Sequence, residues 1–175
     1  MNLPNKKYNI IYADPAWSYT GNMMNSSAKD HYNTMSLEDI CNLPVKEIAA
    51  DNCILFMWVT LPKLNHFMKV IEAWNFEYKS TAFVWCKKNK ISDSFFLGLG
   101  RWTRANPEIC ILATKGKPKR LSKSVRQLQI FPIQAHSKKP DEFRDLITEL
   151  VGDLPRIELF ARQKTPGWDV WGNEV

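Results

Sequence analysis

An α/β fold with a mainly parallel central sheet is what this sequence predicts, on three observations. β-rich apolar runs alternate with stretches of helical periodicity along the chain. The run CILFMWV (53–59) is apolar throughout, as expected of a strand buried on both faces. The 175 residues are 45% hydrophobic and 24% charged, an ordinary globular composition with length for one domain, 1–175, and a real core.

Each element has a local reason. YNIIYA (8–13) is rich in β-formers. Ser36-Leu-Glu-Asp39 reads as a capping box and opens a short helix over 36–42 that breaks near Pro44. After strand 53–59, Pro62 opens a helix with Leu64, Phe67, Met68, Ile71 and Trp74 on one stripe. STAFVWC (80–86) and EICILAT (108–114) are strands, and QLQIFPI (127–133) is one weakened by Pro132. Pro140 opens a helix whose apolar face carries Phe143, Leu146, Ile147 and Leu150, and RIELF (156–160) is the last strong strand. Segments 18–35 and 87–107 are polar and poorly periodic. They are expected to be long loops beyond the carboxyl ends of the strands, where ligands of such folds bind.

Composition narrows the class of function. No run of about 18 apolar residues exists, so no membrane span or membrane partner is expected. The first residues lack the apolar stretch of a signal peptide, and the expected compartment is the cytosol. Cys41, Cys53, Cys86 and Cys110 form no CxxC pair and read as buried free thiols, with no metal site expected. Net charge is +6, much of it in KGKPKRLSKSVR (115–126) and CKKNK (86–90), which suits a polyanionic partner.

The chemistry concentrates in IYADPAW (11–17). Asp14 ends a strand and precedes a proline. Its carboxylate and the Pro15 carbonyl are two neighbouring acceptors, a match for the two N–H donors of a planar aromatic amine. Trp17 adds a π-face for the ring that bears the amine.

Further pieces follow in order: YNTMS (32–36), LFMWVT (55–60), FVWCK (83–87), GRWTRANPEICILATKG (100–116), SKKPDE (137–142), RIELFAR (156–162) and W-x-x-x-GNE (168–174). Together with ADPAW (13–17) they resemble the DPPW-type N6-adenine methyltransferases over residues 8–174. That family includes the catalytic subunit of the mRNA adenosine methyltransferase and short bacterial and phage relatives. The resemblance implies a Rossmann-like S-adenosylmethionine-dependent methyltransferase fold, mainly parallel with helices on both faces. Its motif order is permuted, with the catalytic strand first and part of the cofactor site at the chain's end.

The resemblance also implies roles. Asp14 and the Pro15 carbonyl would accept the amine hydrogens, and Trp17 would stack near the base. Asp14 would also lie beside the amino group of the cofactor, S-adenosylmethionine. Glu158 and Arg162 would lie at its ribose and adenosine end, with Asn173 and Glu174 at its ribose hydroxyls. Tyr32 would line the target pocket, and Arg101, Arg104 and Lys139 would border the nucleic acid. Pro107 stands where the mRNA enzyme has a lysine that reaches the cofactor's carboxylate, so another cation must serve, with Lys87 and Arg104 the candidates, or binding is weaker. Ala16 replaces the second proline of the family motif, while acid, first proline and aromatic remain.

The short form resembles members that mostly modify DNA, so DNA is the expected substrate. RNA methylation is the second reading, and a nucleic-acid-binding partner without catalysis the third. A second subunit, identical or related, is a further candidate partner. The loop 87–107 and the basic segment 115–126 are expected to read a short site.

Overall fold

The computed structural model describes residues 2–17, 34–100 and 102–175. The elements in chain order are β1 (Tyr8–Ala13), α1 (Leu37–Asn42), α2 (Val45–Ile48), β2 (Ala49–Val59), a 3-10 turn (Leu61–Lys63), α3 (Phe67–Ala73), β3 (Glu77–Lys88), β4 (Glu108–Lys115), β5 (Leu128–Pro132), α4 (Glu142–Val151), β6 (Arg156–Leu159) and β7 (Asp169–Trp171). The seven strands form one sheet in the order β5-β3-β4-β2-β1-β6-β7. β4 is antiparallel to both neighbours, β2 and β3. Every other pairing is parallel.

Alternation along β1 sorts its side chains between two cores. Ile11 and Ala13 face a core closed by Ile40 of α1, Val45 and Ile48 of α2, and Val70, Ile71 and Trp74 around α3. Ile10 and Tyr12 face the other, closed by Phe143, Ile147 and Val151 of α4. Helices therefore cover both faces, as expected. β2 lies between them, and Cys53–Val59 is buried throughout, which explains the unbroken apolar run.

Local chemistry explains the ends. Ser36 caps α1, its hydroxyl accepting from the Asp39 N–H at 3.0 Å. Pro62 falls inside the 3-10 turn and α3 begins only at Phe67. The expected stripe is therefore half formed: Ile71 and Trp74 are buried, while Leu64 and Met68 face outward. α2 and β7 were not expected; four and three residues are too short to show a period. All four cysteines are free thiols; Cys53 and Cys110 are buried as expected, whereas Cys41 and Cys86 are only half-buried. Among the described residues no helix is long and apolar enough to cross a membrane.

The topology gathers one edge. β1, β2, β3, β5 and β6 end there, and reversed β4 begins there. Asp14, Thr60, Lys87, Glu108 and Phe160 come from distant sequence to that edge. The basic segment 115–126 starts elsewhere. Lys115 pairs with Cys53 and Ile109 with Val59, so β4 delivers Lys115 about 20 Å from the edge at the usual rise per residue. The segment then packs on the end of α4, where the Leu121 N–H donates to the Leu150 carbonyl at 2.9 Å. The segment and loop 87–107 therefore leave the sheet from opposite ends of β4.

Candidate active site

β1 runs into Asp14 while held on both sides by parallel partners, and the Asp14 N–H still reaches the Leu159 carbonyl of β6 at 3.4 Å. The next residues turn: the Trp17 N–H donates to the Pro15 carbonyl at 2.8 Å. A carbonyl has two lone pairs, so Pro15 keeps one for another donor. The turn is tied to Met35, whose N–H donates to the Ala16 carbonyl at 2.9 Å.

Trp17 is buried, 6% exposed, and its indole N–H donates to the Trp58 carbonyl at 3.3 Å. It forms a wall behind the turn. Trp58 and Trp168 are core residues. The Trp58 indole N–H donates to the Tyr12 hydroxyl at 2.6 Å.

The Asp14 side chain is 29% exposed and uses one oxygen, Oδ2, which receives the Lys139 ammonium at 2.6 Å. Among the described residues nothing donates to Oδ1. Lys139 is 9% exposed and also lies 3.2 Å from Glu108 Oε2 and over the Trp58 ring. Glu108 Oε1 in turn receives Lys87 at 2.6 Å. The result is a chain of alternating charge, Asp14–Lys139–Glu108–Lys87, along the carboxyl edge. Such pairs survive burial only when each charge is compensated.

The electrostatics follow from these contacts. Burial pushes the Asp14 carboxyl above the usual carboxylate value of 3.8, with Lys139 pulling the other way. Burial also pulls Glu108 up, but Lys139 and Lys87 outweigh it and leave it below its ordinary value. Lys139 is held charged: two carboxylates overcome its desolvation and raise it.

A second cluster stands beside β6. Glu158 is buried and held in a two-pronged pair by Arg144, Nε to Oε2 at 2.7 Å and Nη2 to Oε1 at 2.8 Å. Burial nonetheless raises the Glu158 carboxyl. Arg162 Nε donates to Glu174 at 3.0 Å and Nη1 to the His136 carbonyl at 2.6 Å. Asn173 and Glu174 are exposed just past β7. Two backbone features set this corner. Phe160 has a φ of 62°, a conformation that costs a non-glycine residue strain and recurs at functional sites. Gly172 lies so close to the turn after β6 that an added Cβ would meet the Ala161 carbonyl oxygen at 2.3 Å.

Asp14, Pro15, Trp17 and Lys139 thus come together, and Glu158, Arg162 and Glu174 gather nearby. Arg104 is exposed on the β3–β4 loop. Tyr32 and Arg101 lie outside the described residues. Lys139 stands apart from its expected place: it is buried against Asp14. Of the cations expected for the cofactor's carboxylate, Lys87 is spent on Glu108 and Arg104 lies out on the loop, whereas Lys139 touches the acid. Glu108, Arg144 and Gly172 were not singled out in the sequence. Glu108 could have been, as a lone acid opening an apolar strand; Arg144 shows only as a cation inside the apolar stripe of α4. Among the described residues no His, Cys, Asp and Glu cluster suits a metal ion.

The chain matches the MT-A70 family over residues 8–174. It belongs to that family. Among similar proteins, the Type II methyltransferase M.MunI of Mycoplasma sp is 39% identical over 99% of this chain and 80% of its own length. The human N(6)-adenosine-methyltransferase catalytic subunit METTL3 is 26% identical over 97% of this chain, which spans 28% of METTL3. The Drosophila melanogaster MT-A70-like N(6)-adenosine-methyltransferase is 27% identical, with 27% of its length covered. The chain is therefore an S-adenosylmethionine-dependent methyltransferase.

The site's chemistry suits that methyl donor. Its methionine end carries an ammonium, and the Asp14 carboxylate, paired with Lys139 through Oδ2, is an acidic group on that edge with Oδ1 to spare.

Proposed function

We propose that this MT-A70 domain, 1–175, methylates the N6 amine of adenine in DNA. One observation carries the reading: Asp14 is fixed through Oδ2 by Lys139 while Oδ1 and a lone pair of the Pro15 carbonyl remain for the two N–H groups of an amine. S-adenosylmethionine, when bound, supplies the activated methyl. The protein's part is positioning and charge. The adenine amine is a poor nucleophile because its lone pair is delocalised into the ring. Acceptors at Asp14 and Pro15 orient it, favour a tetrahedral nitrogen and stabilise the positive charge that grows there. Trp17 backs the turn that sets both acceptors. Lys139 keeps Asp14 in place. Glu158, Arg162, Asn173 and Glu174 hold the donor's ribose and adenosine end. Tyr32 and Arg101, with Arg104, contact the target strand.

DNA is favoured by the greater likeness to a Type II methyltransferase than to the N(6)-adenosine-methyltransferases. RNA is the second reading, which that lower likeness supports. A partner subunit without catalysis is disfavoured by the intact Asp14, Pro15 and Trp17.

The test is transfer of labelled methyl from S-adenosylmethionine to adenine-containing DNA and RNA, single- and double-stranded, with nucleosides resolved. Label is expected in N6-methyldeoxyadenosine and is expected to fall at least 100-fold in Asp14→Ala. Label confined to the ribonucleoside would replace the DNA reading with the RNA one. Donor binding without transfer to any of the four would remove both.

A further inference from the structure

The hairpin between β3 and β4 holds a tip whose apolar side chains the site as described does not use. Its base is tightly built. The side chain of Asn106 accepts from the Lys87 N–H at 2.9 Å and donates to the carbonyls of Lys87 at 2.9 Å and Phe96 at 2.6 Å. The Gly98 N–H donates to the Ala105 carbonyl at 2.7 Å. The tip closes only over glycine: a Cβ on Gly100 would lie 1.6 Å from the Thr103 carbonyl oxygen. This framework carries Trp102 at 95% exposure and Leu99 at 94%. Two large apolar side chains standing in water close together in the chain mark a surface that meets something.

The surroundings say what. Lys90 and Arg104 are exposed on the same hairpin. Among the described residues neither carries an ion pair, whereas Lys88 is paired with Asp93. An apolar point on a hairpin that also carries unneutralised cations is complementary to a charged backbone with stacked rings inside. The hairpin springs from Lys87 and Glu108, the outer end of the charge chain that leads through Lys139 to Asp14. It therefore sits on the edge where the target adenine must arrive. In a duplex that adenine is stacked and paired, and has to leave the helix to reach Asp14.

We propose that Trp102 is the wedge that enters the base stack of duplex DNA beside the target and fills the space the flipped adenine leaves. This rests on the adenine-methylation reading above. The flat indole takes the stacking place of the departed base, and Lys90 and Arg104 hold the flanking phosphates. A single strand has no stack to hold open, so the residue matters only for duplex.

The experiment compares methyl transfer to unmethylated bacteriophage DNA, native and heat-denatured, by wild-type protein and by Trp102→Ala and Trp102→Phe. Trp102 is exposed, so neither change threatens the fold. For Trp102→Ala, transfer to native DNA is expected to fall at least tenfold and transfer to denatured DNA to stay within twofold. Trp102→Phe is expected to recover most of the duplex rate. An equal loss on both substrates, with or without a change of sedimentation from dimer to monomer, would overturn the wedge and make the tip a general contact or a subunit interface. Full duplex activity in Trp102→Ala would also overturn it. Wild-type protein that labels neither DNA would overturn the methylation reading itself, an outcome separate from any difference between variants.

Discussion

Asp14 does its work through what its two oxygens are free to do. Lys139 occupies one, and without that ammonium the carboxylate would rise further from its ordinary value, because burial already raises it. The acid must be ionised to accept from the amine. The acid limb of kcat/KM should therefore lie above 3.8, and Lys139→Met should move it further up the pH scale. A pH–rate profile of both proteins checks the sign. The same substitution leaves Glu108 and Asp14 short of a counter-charge in a buried place, which should cost about 3 kcal/mol in a denaturant melt. Glu108 carries the opposite sign. Its carboxyl is lowered in the folded protein, so its contribution is present above 4.5 and is lost as pH falls through its folded value. Glu108→Gln should flatten that acid-side fall in stability. Asp14 was legible from sequence because strand, acid, proline and aromatic stand together. Lys139 was visible only as a lysine before a proline: an ion pair across 125 positions leaves no local trace.

Strands and helices were legible wherever a period could establish itself. β1 and α4 came out almost to the residue, since burial on one side or both writes itself into the spacing of apolar residues. α3 was misjudged because Pro62 fits a 3-10 turn as well as a helix start. β7 was missed, yet it leads straight into Gly172, whose backbone seats against the turn after β6. Gly172→Ala should push that turn away and, with it, Arg162 and Glu174. The expected result is a lower Tm and at least tenfold weaker binding of S-adenosylmethionine by calorimetry, with Asp14 untouched. On the other face, Ile147→Ala in α4 opens a void between Phe143, Val151 and the sheet, and should cost about 2–4 kcal/mol.

The net charge of +6 is unevenly useful. Lys90 and Arg104 stand on the β3–β4 hairpin beside the site, whereas Lys117 and Lys119 follow the far end of β4. Neutralising Lys90 and Arg104 together should reduce the slope of log affinity for duplex DNA against log salt by about 0.9 for each phosphate that no longer meets a cation. Neutralising Lys117 and Lys119 should leave the slope and the transfer rate nearly unchanged. Fluorescence titration over a salt series separates the two. Composition announced a polyanion, but only the direction of β4 says which cations meet it.

That direction has a consequence for how such a protein can change. Because β4 runs against its neighbours, Trp85 and Glu108 are paired across the strands, and everything between them is a hairpin rooted at one point of the sheet. Lengthening such a hairpin costs about 0.6 kcal/mol per doubling and disturbs no crossover. The segment is in effect an exchangeable cassette mounted beside a fixed reaction centre. Substrate preference can drift by swapping it, while the strands that hold Asp14 stay as they are.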